Sequence, residues 1–552
     1  MSRLRRLGLA LLAGLALLLV FAPQAGAHAV VVSSDPVDGS RLAKSPAAVT
    51  VRFDESVGIE VGYLRVVDSS GRRVDTGSAT HPNGDGSAIT VSLKAGLGDG
   101  SYLASFRVTS ADSHPVAGTV RWVVGNGPLS AVSGPSGSAP VNGAVSSTLA
   151  VSHWLSFAGV GLVGGSWLIF VLWPSGRTRR PIRRLVWTGW TAAVLGALGE
   201  FALQGPYAAG SGFGAILHTD LIDATLHANT GDLLSVRLVL IGILGALLTA
   251  LFGNLRRWPN WVPEASAIVG VGVVITFAAS GHSESANPRW LAVLVDALHL
   301  TAMIVWLGGL AVLLVAALTR SPESDGDPDT DELSAGLPVF SRVAMACVAT
   351  LAITGTIQAW REIGTVDAIT STRYGQLVTL KVVLFCGLVV LGYFARRALQ
   401  NPVPGRTSLH RLRRTLLTEV SVGALVLAAT GVLISQPPGK VALAADRGKP
   451  RSTTVAVTSS ASAVVGVSPG VHGQVQVTVQ LSSGLHPTSV SATASLPAKD
   501  LGPIPVSLTA AGPNSYTGSG VLLPTAGVWQ ITITVQTSQF DSTIAVADLR
   551  IY

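Results

Sequence analysis

The chain has 552 residues, of which 48% are hydrophobic and only 12% are charged, so it is too apolar for a soluble multidomain protein. The formal net charge is +8, but the basic residues stand in short runs between apolar segments, where the positive-inside rule accounts for them, and we discard nucleic-acid binding. Both cysteines lie within apolar segments, so no disulfide framework is expected in exported parts of the chain. We therefore expect a multi-pass protein of the cytoplasmic membrane.

Residues 1–27 have the pattern of a secretory signal peptide. They combine a basic start, an apolar run from Leu7 to Phe21 and the small-residue site at 25–27. Cleavage after this site makes His28 the first residue of the mature chain. A histidine at a free amino terminus is a ready-made chelate, because its α-amino nitrogen and an imidazole nitrogen can close a ring on one metal ion, and such donors suit Cu(II).

Residues 28–127 are predicted to form an exported β-rich domain, since apolar and polar residues alternate over 61–67 and 88–93. Asp112 and His114 stand two residues apart within it. In an extended segment such residues point to the same side, so they could present a carboxylate and an imidazole together.

The order of short motifs over about residues 28–125 resembles the periplasmic copper-binding CopC family. The motifs lie at 28–29, 33–39, 51–53 and 110–118. The resemblance implies a Greek-key β-sandwich with a Cu(II) site made from the terminal amine, His28, Asp112 and His114. The only methionines are Met1, Met303 and Met345, so we expect no methionine-rich Cu(I) site on this domain.

A linker rich in Gly, Ser, Pro and Ala, assigned to 128–147, leads to a membrane block at 148–440. If the amino-terminal domain is outside the cell, the loops on the cytoplasmic side contain fourteen arginines and the loops on the outer side contain three. This difference supports the orientation. The block contains eight stretches long enough to cross a bilayer, and this even number returns the carboxyl terminus to the exterior. They lie near 148–173, 185–205, 233–252, 262–281, 290–318, 338–360, 375–398 and 414–435.

This block is similar to CopD, the membrane partner of CopC, over about residues 145–440. The resemblance implies copper uptake across the inner membrane, and fusion of the two parts gives a tethered donor a high effective concentration at its acceptor. The motifs that carry it lie at 280–282, 296–300, 306–310, 340–342, 354–355, 374–375 and 381.

Three histidines within or beside the spans are the candidate copper ligands of the membrane block, namely His153, His282 and His299. Ionisable groups at membrane depth are costly and usually face a cavity or a partner. The alternative is that these imidazoles cap helix ends or bond across helices, and we keep that interpretation for His218 and His227.

Sulfur donors near mid-membrane could relay Cu(I), but we favour ordinary core positions for them. They are Met303, Met345, Cys347 and Cys386. Three charged residues of the spans could serve proton coupling or pair internally, and these alternatives stay open. They are Glu200, Lys381 and Glu419.

Residues 441–552 are predicted to form a second exported β-sandwich, because apolar residues alternate over 473–479 and 527–533. This part resembles the small YtkA-like domain over roughly 460–550. His472 and His486 are isolated, and we leave them out of the site.

The predicted fold class is thus a multidomain membrane protein with an exported Greek-key β-sandwich, an eight-helix α transmembrane bundle and a second exported β-sandwich. We expect it to capture Cu(II) outside the cell and to move copper inward, with the copper ion and the lipid bilayer as its partners and Cu(I) as the alternative state in the membrane. The chain lacks a Walker loop, a phosphorylated-Asp motif and a Cys-x-x-Cys, so we expect neither an enzyme nor catalytic residues.

Two alternative functions stay open. One alternative is exterior copper buffering, or delivery to a secreted cuproenzyme or copper chaperone. Another is a haem or copper redox membrane protein.

Overall fold

A computed structural model describes most of the chain. The predicted signal peptide, most of the predicted linker and the candidate ligands His28, Asp112, His114 and His282 lie outside the described residues. The described residues are 29, 31–110, 115–125, 142–252, 261–280, 288–319, 328–400, 406–434, 436–483, 485, 487–512, 514–538 and 540–552.

The first domain is a β-sandwich of two four-stranded sheets, ordered β1-β3-β6-β5 and β2-β8-β7-β4. Alternation builds its core, since β3 turns Val49, Val51 and Phe53 inward and leaves the residues between them less buried. The sandwich fold predicted for this part is confirmed. The strands are β1 (Val31–Asp35), β2 (Ser40–Leu42), β3 (Ala48–Phe53), β4 (Val57–Asp68), β5 (Asp75–Thr80), β6 (Ala88–Leu93), β7 (Gly100–Ser110) and β8 (Pro115–Val124).

The helical part contains, among the described residues, eight helices long and apolar enough to cross a membrane, which confirms the predicted number. Two short helices, α3 and α8, connect them, and α11 leads to the last domain. The helices are α1 (Gly143–Leu172), α2 (Arg180–Ala209), α3 (Thr219–His227), α4 (Asn229–Phe252), α5 (Trp261–Ala279), α6 (Arg289–Thr319), α7 (Pro328–Ile363), α8 (Val366–Ser371), α9 (Arg373–Gln400), α10 (Arg406–Ile434) and α11 (Gly439–Gly448).

Small residues bring α1 against its neighbours. A Cβ on Gly165 of α1 would collide with the backbone of Gly308 on α6, and a Cβ on Gly159 would collide with the backbone of Ala193 on α2. Helices associate in this way in membranes, where small residues let two backbones come close. The first helix is therefore packed backbone to backbone against both α2 and α6.

The carboxyl-terminal domain also has two sheets around one core, ordered β14-β15-β11-β10-β9 and β13-β12-β16-β17. The alternating segments 473–479 and 527–533 lie within β11 and β16, as predicted. The strands are β9 (Arg451–Ala456), β10 (Ser462–Ser468), β11 (Gly473–Leu481), β12 (Ser489–Leu496), β13 (Leu501–Val506), β14 (Thr509–Gly512), β15 (Ser515–Leu523), β16 (Gly527–Gln536) and β17 (Ser542–Ile551).

The first β domain and the helix α11 that leads to the second contact the same end of the helix bundle, which we call the domain-facing end. Buried Arg107 on β7 donates from Nε to the carbonyl oxygen of Ala208, at the end of α2, over 2.7 Å. On the other side, Lys440 of α11 donates to the carbonyl oxygen of Arg361, near the end of α7, over 2.9 Å. The contacts agree with an even number of membrane crossings between the two domains.

Candidate metal centre

The predicted Cu(II) ligands of the first domain, His28, Asp112 and His114, stay predictions, and only their neighbours can be located. Ala29 is buried in the core of the sandwich. β7 ends at Ser110, β8 begins at Pro115, and Thr109 pairs with Pro115 in the register of these two strands. Within the described ranges, no three His, Cys, Asp or Glu side chains gather into a metal-binding group.

The helix bundle encloses a cavity of about 670 Å³, with residues from all eight spanning helices in its lining. Most of the lining is apolar. Of the membrane candidates, His153 and His299 both line the cavity. His153 is the eleventh residue of α1 and His299 the eleventh of α6, so each lies roughly 15 Å below the domain-facing end at the rise of an α-helix. The structure thus brings two predicted ligands to one cavity at similar depth.

The hydrogen bonds around His299 define which of its nitrogens can bind a metal. Its Nδ1 lies 2.8 Å from Oγ1 of Thr354 on α7. The Thr354 hydroxyl lies 2.6 Å from the carbonyl oxygen of Thr350, and when it donates its single proton there it accepts from His299. The network therefore assigns the proton of His299 to Nδ1. Nε2 keeps its lone pair, which is the arrangement found for metal-binding histidines.

A second polar group of the cavity joins α1, α2, α4 and α5. Glu200 on α2 pairs with Arg237 on α4 over 2.7 Å, and both side chains are almost fully buried. The His153 Nε2 atom lies 4.0 Å from Oε2 of Glu200. The sequence left two roles open for Glu200, proton coupling and internal pairing, and the structure shows internal pairing. Sequence reasoning missed Arg237, although a lone arginine inside the predicted span 233–252 was the available signal.

A third polar group lies nearer the domain-facing end, on α6 and α7. Gln358 donates to Asp296 over 2.8 Å, and Arg361 lies 3.6 Å from the same carboxylate. Arg361 also donates to Glu362 over 2.7 Å. All four side chains line the cavity, so one wall of its mouth is polar and carries three charged side chains.

The sulfur atoms divide into two groups. Met303 and Cys386 line the cavity, whereas Cys347 packs in the apolar core and Met345 is exposed on the surface of the bundle. Lys381 also lines the cavity. The predicted Cu(I) relay remains untested, but only Met303 and Cys386 are placed to contact an ion in the cavity.

Comparison with known proteins agrees with both predicted resemblances. The CopC domain model matches residues 31–125, and the model of copper resistance protein D (CopD) matches residues 334–433. The chain is 29% identical over 435 residues to the copper transport protein CutJ of Bacillus subtilis (strain 168), a match that covers 77% of each protein.

The amino-terminal part alone has further relatives. It is 29% identical over 103 residues to copper resistance protein C of Xanthomonas campestris pv. juglandis, covering 18% of this chain and 80% of that protein. The crystal structure of CopC from Methylosinus trichosporium OB3b is 30% identical and covers 18% of this chain and 93% of that one, with a TM-score of 0.17.

The CopD match begins within α7, so it includes Thr354 and Lys381 but neither His153 nor His299. The relatives found are named for copper transport or copper resistance. One polypeptide therefore carries a CopC domain and a copper resistance protein D domain, joined in a multi-pass membrane protein.

Proposed function

We propose that this protein captures Cu(II) outside the cell and moves copper inward through the cavity of its helix bundle. The observation that carries the proposal is the hydrogen-bond network of His299. An imidazole whose Nδ1 proton is bound to Thr354 and whose Nε2 lone pair remains is prepared as a metal ligand, and it lines a cavity shared by all eight spanning helices.

The capture site in this proposal consists of the terminal amine, His28, Asp112 and His114. One observation that supports it is that Ala29, the residue after His28 in the sequence, is buried in the sandwich core. β7 also connects this region with the bundle. Ser110 lies three residues beyond Arg107, roughly 10 Å along the strand.

The contact between the two parts lies at the rim of the cavity. Arg107 bonds to Ala208, and the preceding residue, Tyr207, lines the cavity. A donor site held this close to its acceptor transfers its ion within one molecule, so the rate of transfer does not depend on protein concentration.

The proposed direction follows from the orientation. Arginines concentrated in the loops opposite the domain-facing end support an orientation with both β domains outside and the other end of the bundle in the cytoplasm. Copper that enters between the sandwich and the bundle then moves inward past His153 and His299, toward the level of Met303 and Cys386.

The test is uptake of radioactive copper by cells, divided by the amount of protein in the membrane. His299→Ala should abolish uptake per molecule. His227→Ala is the matched control, because His227 is exposed on α3, where its Nδ1 bonds to the carbonyl oxygen of Asp223. Equal uptake per molecule in the two variants would contradict the proposal.

A further inference from the structure

The carboxylate of Glu200 has two oxygens with different surroundings. Oε2 accepts a hydrogen bond from Nη1 of Arg237 over 2.7 Å. Oε1 is buried without a hydrogen-bond partner in the described structure, although the residue lines the cavity and is only 3% exposed. A buried carboxylate oxygen without a donor is costly, so a group that reached this oxygen from the cavity would satisfy it.

Arg237 is held rigidly and cannot follow Glu200 into another position. Its Nε donates to Oγ1 of Thr276 over 3.2 Å, and Nη2 donates to the carbonyl oxygen of Thr276 over 3.0 Å. Nη2 also donates to Ser280 over 3.1 Å, and the guanidinium stacks 3.6 Å from the ring centre of Phe277. The side chain is 1% exposed. These contacts go to α5 and to Ser280, the residue that follows it, so Arg237 is held in place while it donates to the Glu200 carboxylate.

His153 adds a second donor. Its Nε2 lies 4.0 Å from Oε2 of Glu200, the oxygen that also accepts from Arg237, and Oε1 belongs to the same carboxylate. Nitrogen and oxygen ligands bind transition metals at about 2 Å, so two ligands of one ion lie no more than about 4 Å apart. An imidazole and a carboxylate together also suit divalent copper better than they suit Cu(I), which prefers sulfur.

From this geometry we propose that Glu200 and His153 form a copper-binding site in the cavity wall, distinct from His299, with Arg237 as the positioning residue of Glu200. The inference rests on the proposed function in one respect, namely that copper is the cargo of the cavity. It assigns Glu200 as an oxygen ligand of that cargo. The hydrogen bond from Arg237 to the carboxylate is the kind of outer contact that orients a metal-binding carboxylate.

A purely structural ion pair between α2 and α4 makes a different prediction. In that case Glu200 contributes only to folding, and copper binding does not depend on it. Glu362 provides the matched control, because it too lines the cavity, is 2% exposed and pairs with an arginine over 2.7 Å. One of its oxygens is likewise buried without a partner, but no histidine within ion-pair distance of it is found in the described residues.

The experiment uses the full-length protein in lipid nanodiscs, carrying His114→Ala to remove the capture site. Bound copper is counted after dialysis against copper(II) chloride, and the spectrum of the bound ion is recorded by electron paramagnetic resonance. Glu200→Gln keeps the shape of the side chain and a hydrogen bond to Arg237. We expect this variant and His153→Ala to bind one copper ion fewer per molecule, and Glu362→Gln to bind as many as its parent.

Folding is monitored by the melting temperature and by the elution volume of each variant. If Glu200→Gln fails to fold, the spectrum of His153→Ala still tests the site. Loss of the site removes from the copper spectrum the nitrogen coupling of the His153 imidazole. Unchanged copper stoichiometry and spectra in both variants would overturn the inference. A different result would be that Glu200 and His153 bind copper but the protein shows no uptake. That result would overturn the proposed transport and support the copper site.

Discussion

Replacing Thr354 by valine tests the role of His299 without touching the histidine. Valine has nearly the shape of threonine, but it cannot accept the 2.8 Å hydrogen bond from Nδ1 of His299. The imidazole is then free to rotate and to move its proton to Nε2, the nitrogen that we assign to copper. Loss of such an outer contact typically lowers metal affinity about 10- to 100-fold, which corresponds to about 1.4–2.8 kcal/mol.

The same change leaves a buried N–H without an acceptor, which costs about 1–3 kcal/mol of folding stability. Thr356→Val is the control for this effect. Thr356 lies two positions after Thr354 and lines the cavity. Its hydroxyl donates to the carbonyl oxygen of Ala352 over 2.8 Å, much as the Thr354 hydroxyl donates to Thr350. Unlike Thr354, it makes no hydrogen bond to a histidine among the residues that the structure describes.

The assay is the copper affinity of the bundle, measured by competition with a chelator in the full-length protein with His114→Ala. We expect Thr354→Val to bind copper about 10- to 100-fold more weakly than Thr356→Val. Uptake per molecule should fall in the same order. Equal affinities for the two variants would refute the assignment of the proton to Nδ1 and, with it, the argument that His299 is prepared for a metal.

Three further predictions concern other parts of the chain. A mature chain that begins at His28 should bind Cu(II) tightly, whereas one that begins at Ala27 should lose the terminal chelate, and equal affinities by titration calorimetry would contradict that site. Gly308→Ala should lower the stability of the bundle by about 1–3 kcal/mol, since its Cβ would collide with Gly165, while Gly270→Ala, where the space is open, should not lower the melting temperature. Arg107→Met should release the sandwich from α2 and reduce uptake at limiting copper more than at saturating copper, whereas Arg65→Met on the exposed face should change neither.

The sequence predicts the architecture well because the signals involved are local. Eight apolar stretches of membrane length and the alternation of 473–479 each depend on neighbouring residues alone. The start of the first helix is less well predicted, since the apolar stretch begins near 148 and the helix at Gly143. The reason is Asn142, whose side chain accepts hydrogen bonds from the amides of Ala144 and Val145 and begins the helix ahead of the apolar residues.

The cavity is only partly predictable. His153 and His299 are recognisable because a histidine in a span is costly and rare. The partners of Glu200 cannot be recognised from the sequence. Its pairing with Arg237 depends on the rotation of α2 and α4 about their own axes, which no single helix determines. The same holds for the sulfur donors, where Met303 and Cys347 are equally apolar in sequence but only one of them lines the cavity.

The close packing of α1 determines which parts of the bundle can move. Gly165 and Gly159 bring its backbone against α6 and α2, and a Cβ on Gly431 of α10 would likewise collide with the backbone of Ala150. Helices in such contact cannot slide without separating, so we expect α1, α2, α6 and α10 to move together. His153, Glu200 and His299 all lie on these helices. In the proposed transport the spacing between these three side chains would then stay constant, and α9, whose span is the least buried of the eight described, is the helix we expect to move most.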